Sequence, residues 1–277
     1  NSNGTATILS SAGGSNCIGS NGASCAGTAG TLVFGTLTIG DAATTFTTTL
    51  GGTNPTTTID TALTITANAT FAAGGATINL KGSGSAMTVN GTFTANTSTV
   101  NYEGSSATTV AGTTYYNLGV GTISDALTAV TYTLGSNATT TNVLTIGNGG
   151  STNSDTLDAS SRTLTLSGSG TPMTRTSKGL FEAGTSNVRY TSGSGVTSLS
   201  SNPMFGTQGF YTLEINGTGT FTSTYNITVN NEMQLLSGTL SMGVANLTVG
   251  KSSITNSGSI KVAASQTLNQ SSGGTTT

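Results

Sequence analysis

The side chains that could do chemistry are few, and most fall in one stretch. Asp155 and Asp158 form a close acidic pair, followed by Arg162, Arg175, Lys178 and Arg189 with Glu182 among them. The Asp pair could hold Ca²⁺ while one of the arginines abstracts a proton, which is the chemistry of a polysaccharide lyase. Calcium takes about 6–8 oxygen ligands, so one Asp pair falls short, and a solvated charged face is the better reading. The chain has no His, which removes His-based catalysis and His-ligated metal sites. Cys17 and Cys25 sit in SNCIGSNGASCAG, where small residues let the two ends meet. A disulfide closing this loop is the expected state, with two free thiols as the alternative. Two cysteines cannot complete a four-ligand metal site. Gly147-Asn-Gly-Gly150 does not recur and reads as a turn, not as a calcium or phosphate loop. The expectation is no catalytic residue, no metal and no cofactor: not an enzyme.

Three weaker signals belong beside these. Thr-x-Thr recurs at Thr36/Thr38, Thr64/Thr66, Thr92/Thr94 and Thr163/Thr165, a pattern that an ice-binding face would display at one fixed phase. In a chain this rich in threonine the pattern arises often by chance, so an ice-binding protein is a remote alternative, as is the lyase. Glycosylation sequons occur at Asn3, Asn68, Asn90, Asn96, Asn137, Asn216, Asn226, Asn246 and Asn269, no more than chance gives with so much Asn, Ser and Thr. Tyr115, Tyr116, Phe210 and Tyr211 could stack on sugar, but packing explains them better.

Composition sets the elements that must carry these residues. Of 277 residues, 61 are Thr, 36 Ser and 40 Gly, while Lys+Arg number 7 against 9 Asp+Glu, for a net charge of -2. That cation count cannot provide a basic stripe for nucleic acid. Thr, Ser and Gly are poor helix formers, and Thr favours strands. No apolar run is long enough for a membrane span, and no charged-then-apolar leader opens the sequence. Short alternations recur, as in Leu37-Thr-Ile39, Leu63-Thr-Ile65, Ile78-Asn-Leu80, Leu144-Thr-Ile146 and Leu247-Thr-Val249, which is the period of a strand with one buried face.

A longer repeat is sharper. Thr77-Ile-Asn-Leu-Lys-Gly-Ser-Gly84 returns as Thr163-Leu-Thr-Leu-Ser-Gly-Ser-Gly170, and Met87-Thr returns as Met173-Thr. Phe93-Thr-Ala-Asn-Thr-Ser-Thr-Val-Asn-Tyr102 returns as Phe181-Glu-Ala-Gly-Thr-Ser-Asn-Val-Arg-Tyr190, and Tyr116-Asn-Leu-Gly-Val120 as Tyr211-Thr-Leu-Glu-Ile215. A partial third copy covers Met233–Leu240 and Asn246–Gly250. The spacing widens only in the Gly/Ser-rich connections, as in a solenoid of coils about 20 residues long. The expected fold is all-β: a parallel β-helix (β-solenoid) forming one elongated rod, with tandem antiparallel β-sandwiches as the alternative. Residues 1–60 form an N-terminal segment with the cysteine loop and first strands, 61–250 the repeated coils, and 251–277 a strand-rich tail.

The pattern F-x-A-x-T-S-x-V-x-Y, then Y-x-L-x-V/I, then L-T-L/V-x-G, resembles repeats of large bacterial secreted and cell-surface β-helix proteins of adhesin-like type. The resemblance covers about residues 63–250. It implies an extracellular, non-enzymatic surface role and transfers no catalytic residue.

A solenoid exposes unpaired backbone groups at both ends, and no amphipathic capping helix is legible at either terminus. Thr7, Ile8 and Leu9 near the start, and Ile254, Ile260, Val262 and Leu268 near the end, are the candidate subunit-interface residues. The expected function is a structural subunit of a secreted, homopolymeric, pilus-like filament assembled head-to-tail, with a monomeric adhesin or stalk segment of a larger surface protein as the alternative. The expected partners are copies of the chain itself and surface glycans, with no nucleic acid and no membrane span.

Overall fold

The computed structural model describes residues 2–8, 15–18, 31–51, 55–122, 128–147, 153–193, 195–199, 209–242, 246–250, 254–256, 259–261 and 268–270. Among them every strand pairing is parallel and there is no helix. The chain is a β-solenoid, and antiparallel sandwiches are excluded. One ladder climbs about eight turns, through Ser2, Phe34, Ile59, Leu80, Tyr102, Val120, Ile146 and Arg175. Hydrogen bonds between side chains of successive turns join residues 18 to 29 apart in sequence, which is the range of coil lengths. The strand Thr56–Ile65 carries the stack across residue 60 without a break.

The coil has three faces, and long strands such as Thr31–Ile39 and Thr56–Ile65 bend around a corner from one face to the next. The burial pattern of Thr56–Ile65 alternates along each half, because alternate side chains of a strand point to opposite sides. Inward residues stack in register: Leu37 on Leu63 on Met87, and Val100 between Ile78 and Leu118. All six are buried. Burying each contributes about 1.5–3 kcal/mol before the entropy of ordering is subtracted. Outward residues stack too, in threonine columns such as Thr31, Thr56, Thr77 and Thr99. Their β-branched side chains suit extended backbone.

Aromatic rings fill the interior where the inward residues are large. Phe71 and Phe93 lie 6.1 Å apart, and Phe93 and Tyr115 6.2 Å. Tyr102 and Tyr115 share a hydroxyl–hydroxyl bond of 2.9 Å, and each also bonds the backbone of Ala111. Burial pushes the Tyr102 hydroxyl up to about 12, so it stays protonated at neutral pH.

Tight corners recur with a common form. Ala76, Ser98, Arg162 and Ser186 each donate a backbone N–H to the carbonyl of the alanine three residues earlier, at 2.9–3.1 Å. Those alanines (Ala73, Ala95, Ala159 and Ala183) are turned into the core. The residue after each has positive φ: Gly74, Asn96, Ser160 and Gly184.

The two copies of the long repeat are not stacked in phase. The ladder through Leu80 of the first copy arrives at Arg175 of the second. By sequence, however, the equivalent of strand Met173–Arg175 is Met87–Val89, which pairs in another ladder with Leu63–Ile65. The second copy is therefore turned by one face relative to the first.

Candidate functional site

Five strands near the two termini bound the described part of the solenoid. Near the N-terminus, strand Ser2–Ile8 pairs with Thr31–Ile39, and strand Ser15–Ile18 with Phe46–Leu50. Near the C-terminus, Ile254–Asn256 and Ser259–Lys261 pair with Ile227–Ser241, and Leu268–Gln270 pairs with Leu247–Val249. Each of these five strands has one hydrogen-bonded neighbour among the described residues. Thr7, Ile8, Ile254, Ile260 and Leu268 lie on them, whereas Leu9 and Val262 lie outside the described residues. Cys17 sits opposite Thr49, and the loop to Cys25 lies outside the described residues.

The charged stretch does not converge on one place. Asp155 points inward and is buried, and its Oδ1 accepts the Val130 N–H at 2.9 Å. Asp158 lies three residues on, on the other side of the strand, and its Oδ1 accepts the Ser160 N–H at 2.7 Å. An odd spacing on a strand puts the two carboxylates on opposite sides, so they cannot share a cation. Arg175 donates to the Gly179 carbonyl at 2.9 Å, and Arg162 is exposed. The Thr-x-Thr pairs are likewise distributed: Thr36/Thr38 sit opposite Ala62/Thr64, Thr66 turns a corner to bond the Ile39 carbonyl, and Thr92/Thr94 belong to a different sheet. Tyr115 and Phe210 are buried, and Tyr116 and Tyr211 pack against the core, so these equivalent aromatics are structural.

One ion pair was not foreseen. Arg189 Nε meets Glu214 Oε2 at 2.8 Å, with Asn187 Nδ2 on the same oxygen at 2.9 Å. The Arg189 side chain is 39% exposed and that of Glu214 only 4%. Removing the arginine strands a buried carboxylate, while removing the carboxylate lets the arginine turn to water. Arg189→Met is expected to cost about 1–3 kcal/mol and Glu214→Gln under about 1 kcal/mol, in urea unfolding. Equal costs would show that burial of Glu214 does not set the energetics.

Glu103 follows the strand Thr99–Tyr102 and is half buried. Burial pushes its carboxyl up to about 7, against the pull of Lys81 and a hydrogen bond from Thr122. The folded state holds this proton where the unfolded chain, near 4.5, has released it. The contribution is therefore full below about 4.5 and is lost as pH rises through about 7. Denaturant midpoints should fall between about pH 5 and about pH 8, and Glu103→Gln should flatten that slope. A wild-type midpoint that rises over this range would contradict the assignment.

Among the described residues no helix is long and apolar enough to cross a membrane, and no group of three His, Cys, Asp or Glu could hold a metal ion. No family model matches the chain, and comparison with curated proteins and with solved structures found no match.

Proposed function

We propose that the chain is a structural subunit of an extracellular filament, assembled head-to-tail by stacking the last coil of one copy on the first coil of the next. One observation carries this reading: among the described residues the strands at both ends have a hydrogen-bonded neighbour on one edge only, while every ladder is parallel. Translation along the rod axis by one molecule therefore continues each ladder with unchanged polarity. A contact of this kind joins two different surfaces and does not close, so it propagates. The low charge of the surface offers little electrostatic opposition to it. A Cys17–Cys25 disulfide beside the N-terminal edge and the kinship with adhesin-like repeats belong to the same proposal. The alternative is a stalk within a larger surface protein, whose coils continue covalently into neighbouring repeats. Electron microscopy of the purified chain separates the two. Filaments of uniform width with a solenoid-like repeat along the axis are expected. A monodisperse monomer at high concentration would sink the homopolymer.

A further inference from the structure

One core column runs the length of the described solenoid. It begins at Asn16, which stands opposite Thr48, and passes to Phe71 and Phe93. The rings of Phe93 and Tyr115, 6.2 Å apart, carry it across the next turn. From Tyr115 the ladder register leads through Thr140, Leu166 and Tyr190. It then reaches Ile215, Leu235 and finally Asn256. Every residue between the two asparagines is buried. The column therefore carries the same amide residue at the register position of both its ends. Among the described residues, the strands of Asn16 and Asn256 each have a hydrogen-bonded neighbour on one edge only.

Two pairs within the chain show how asparagines on successive turns interact. Asn101 donates its Nδ2 to Asn79 Oδ1 at 3.0 Å, and Asn142 donates to Asn117 Oδ1 at 2.7 Å. An amide is both donor and acceptor, so two of them one turn apart satisfy each other. An amide covered by an apolar residue loses its water and gains nothing in return.

We infer that Asn256 of one copy pairs with Asn16 of the next, in a joint made without rotation about the axis. This rests on the head-to-tail reading and names the contact that specifies it. A rod of three faces can be set on another in three rotations, and apolar columns alone discriminate poorly among them. The unrotated joint puts the two asparagines in one column, whereas a rotated joint covers Asn256 with a residue of another column. A single amide at a core position fixes register in coiled coils in the same way. Gln270 is the competing partner. It stands opposite the buried Val249 on a neighbouring face of the last turns, so a joint turned by one face would set Gln270 on Asn16.

Light scattering and electron microscopy of the purified chain test this with Asn16→Leu, Asn256→Leu and two double variants, Asn16→Leu/Asn256→Leu and Asn16→Leu/Gln270→Leu. Each single variant leaves one amide facing leucine and is expected to slow assembly roughly tenfold. Asn16→Leu/Asn256→Leu is expected to recover the wild-type rate, and Asn16→Leu/Gln270→Leu to stay slow. Recovery in a double variant is what a folding defect would not give, since two such defects compound; circular dichroism of each chain checks the fold. The inference is overturned by single variants that assemble as wild type or faster, by an Asn16→Leu/Asn256→Leu chain as slow as the singles, or by recovery in Asn16→Leu/Gln270→Leu instead. Each of these outcomes leaves head-to-tail assembly standing. A wild-type chain that forms no filaments overturns both.

Discussion

A chain carrying Thr7→Pro is expected to fold as wild type and to form no filaments. The Ile8 carbonyl accepts the Gly40 N–H at 2.9 Å, so Ile8 faces its inner neighbour. Backbone groups of successive residues in a strand point to opposite edges, which turns the Thr7 N–H toward the open edge. Proline there deletes a donor that only an incoming copy would use and places a ring in that copy's path. Natural sheets block edge-to-edge pairing by the same means. The mutant still presents an intact C-terminal edge, so it can add to the N-terminal edge of a wild-type copy and then terminate growth. Mixed in at low ratio, it should shorten wild-type filaments in proportion to its fraction, as measured by electron microscopy. Ile8→Pro is the contrasting variant, because it breaks a bond inside the molecule and should loosen the first turn. Filament length unaffected by Thr7→Pro would exclude assembly through this edge.

The features legible in the sequence were those written in apolar alternation. Leu37-Thr-Ile39, Leu63-Thr-Ile65 and their kin became stacked strands because one side chain type, buried, repeats every second residue. Threonine runs hid their phase. In Thr47-Thr-Thr49 the middle residue is buried, as is Thr57 within Thr56-Thr-Thr58, and nothing in identical side chains says which one turns inward. The corners were present in the repeat text as Ala95-Asn-Thr-Ser98 and Ala183-Gly-Thr-Ser186. They could have been read from a small residue in the core followed by one that tolerates positive φ. The charged stretch, read as a solvated face, has one buried member, Asp155. Proximity along a strand is not proximity in space, and Asp155 and Asp158 part to opposite sides. The repeat alignment matches Asn101 and Gly119 with Arg189 and Glu214, but only the ladder register shows that the members of each pair stand side by side. The one-face rotation between copies was equally invisible, since sequence similarity reports equivalent environments and not their angle about the axis.

The largest loss of stability is expected from Gly168→Val. Gly168 and its repeat counterpart Gly82 lie against the backbone of the turn below, where a Cβ would meet the carbonyl groups of Asn142 and Thr61 respectively. That obstacle is main chain at the corner between two laddered halves of a strand, not the free end of a side chain, so it cannot swing aside. Relief would require two turns to part, and neighbouring turns are held about 4.8 Å apart by their hydrogen bonds. A loss of at least about 4 kcal/mol is expected, at the severe end for single substitutions. Two other glycines separate steric collision from loss of glycine itself. Gly170 has open space around it but φ of +71°, so alanine there should cost about 1–2 kcal/mol. Gly193 has open space and no positive φ, so alanine there should stabilise by about 0.4–1 kcal/mol through the unfolded chain. Because each turn of a solenoid rests on its neighbours, the damage from Gly168→Val should stay local at first. Hydrogen exchange should show lost protection across 138–190 while 31–102 remains protected. If Gly168→Val proves as stable as Gly193→Ala, the turns are not packed this closely.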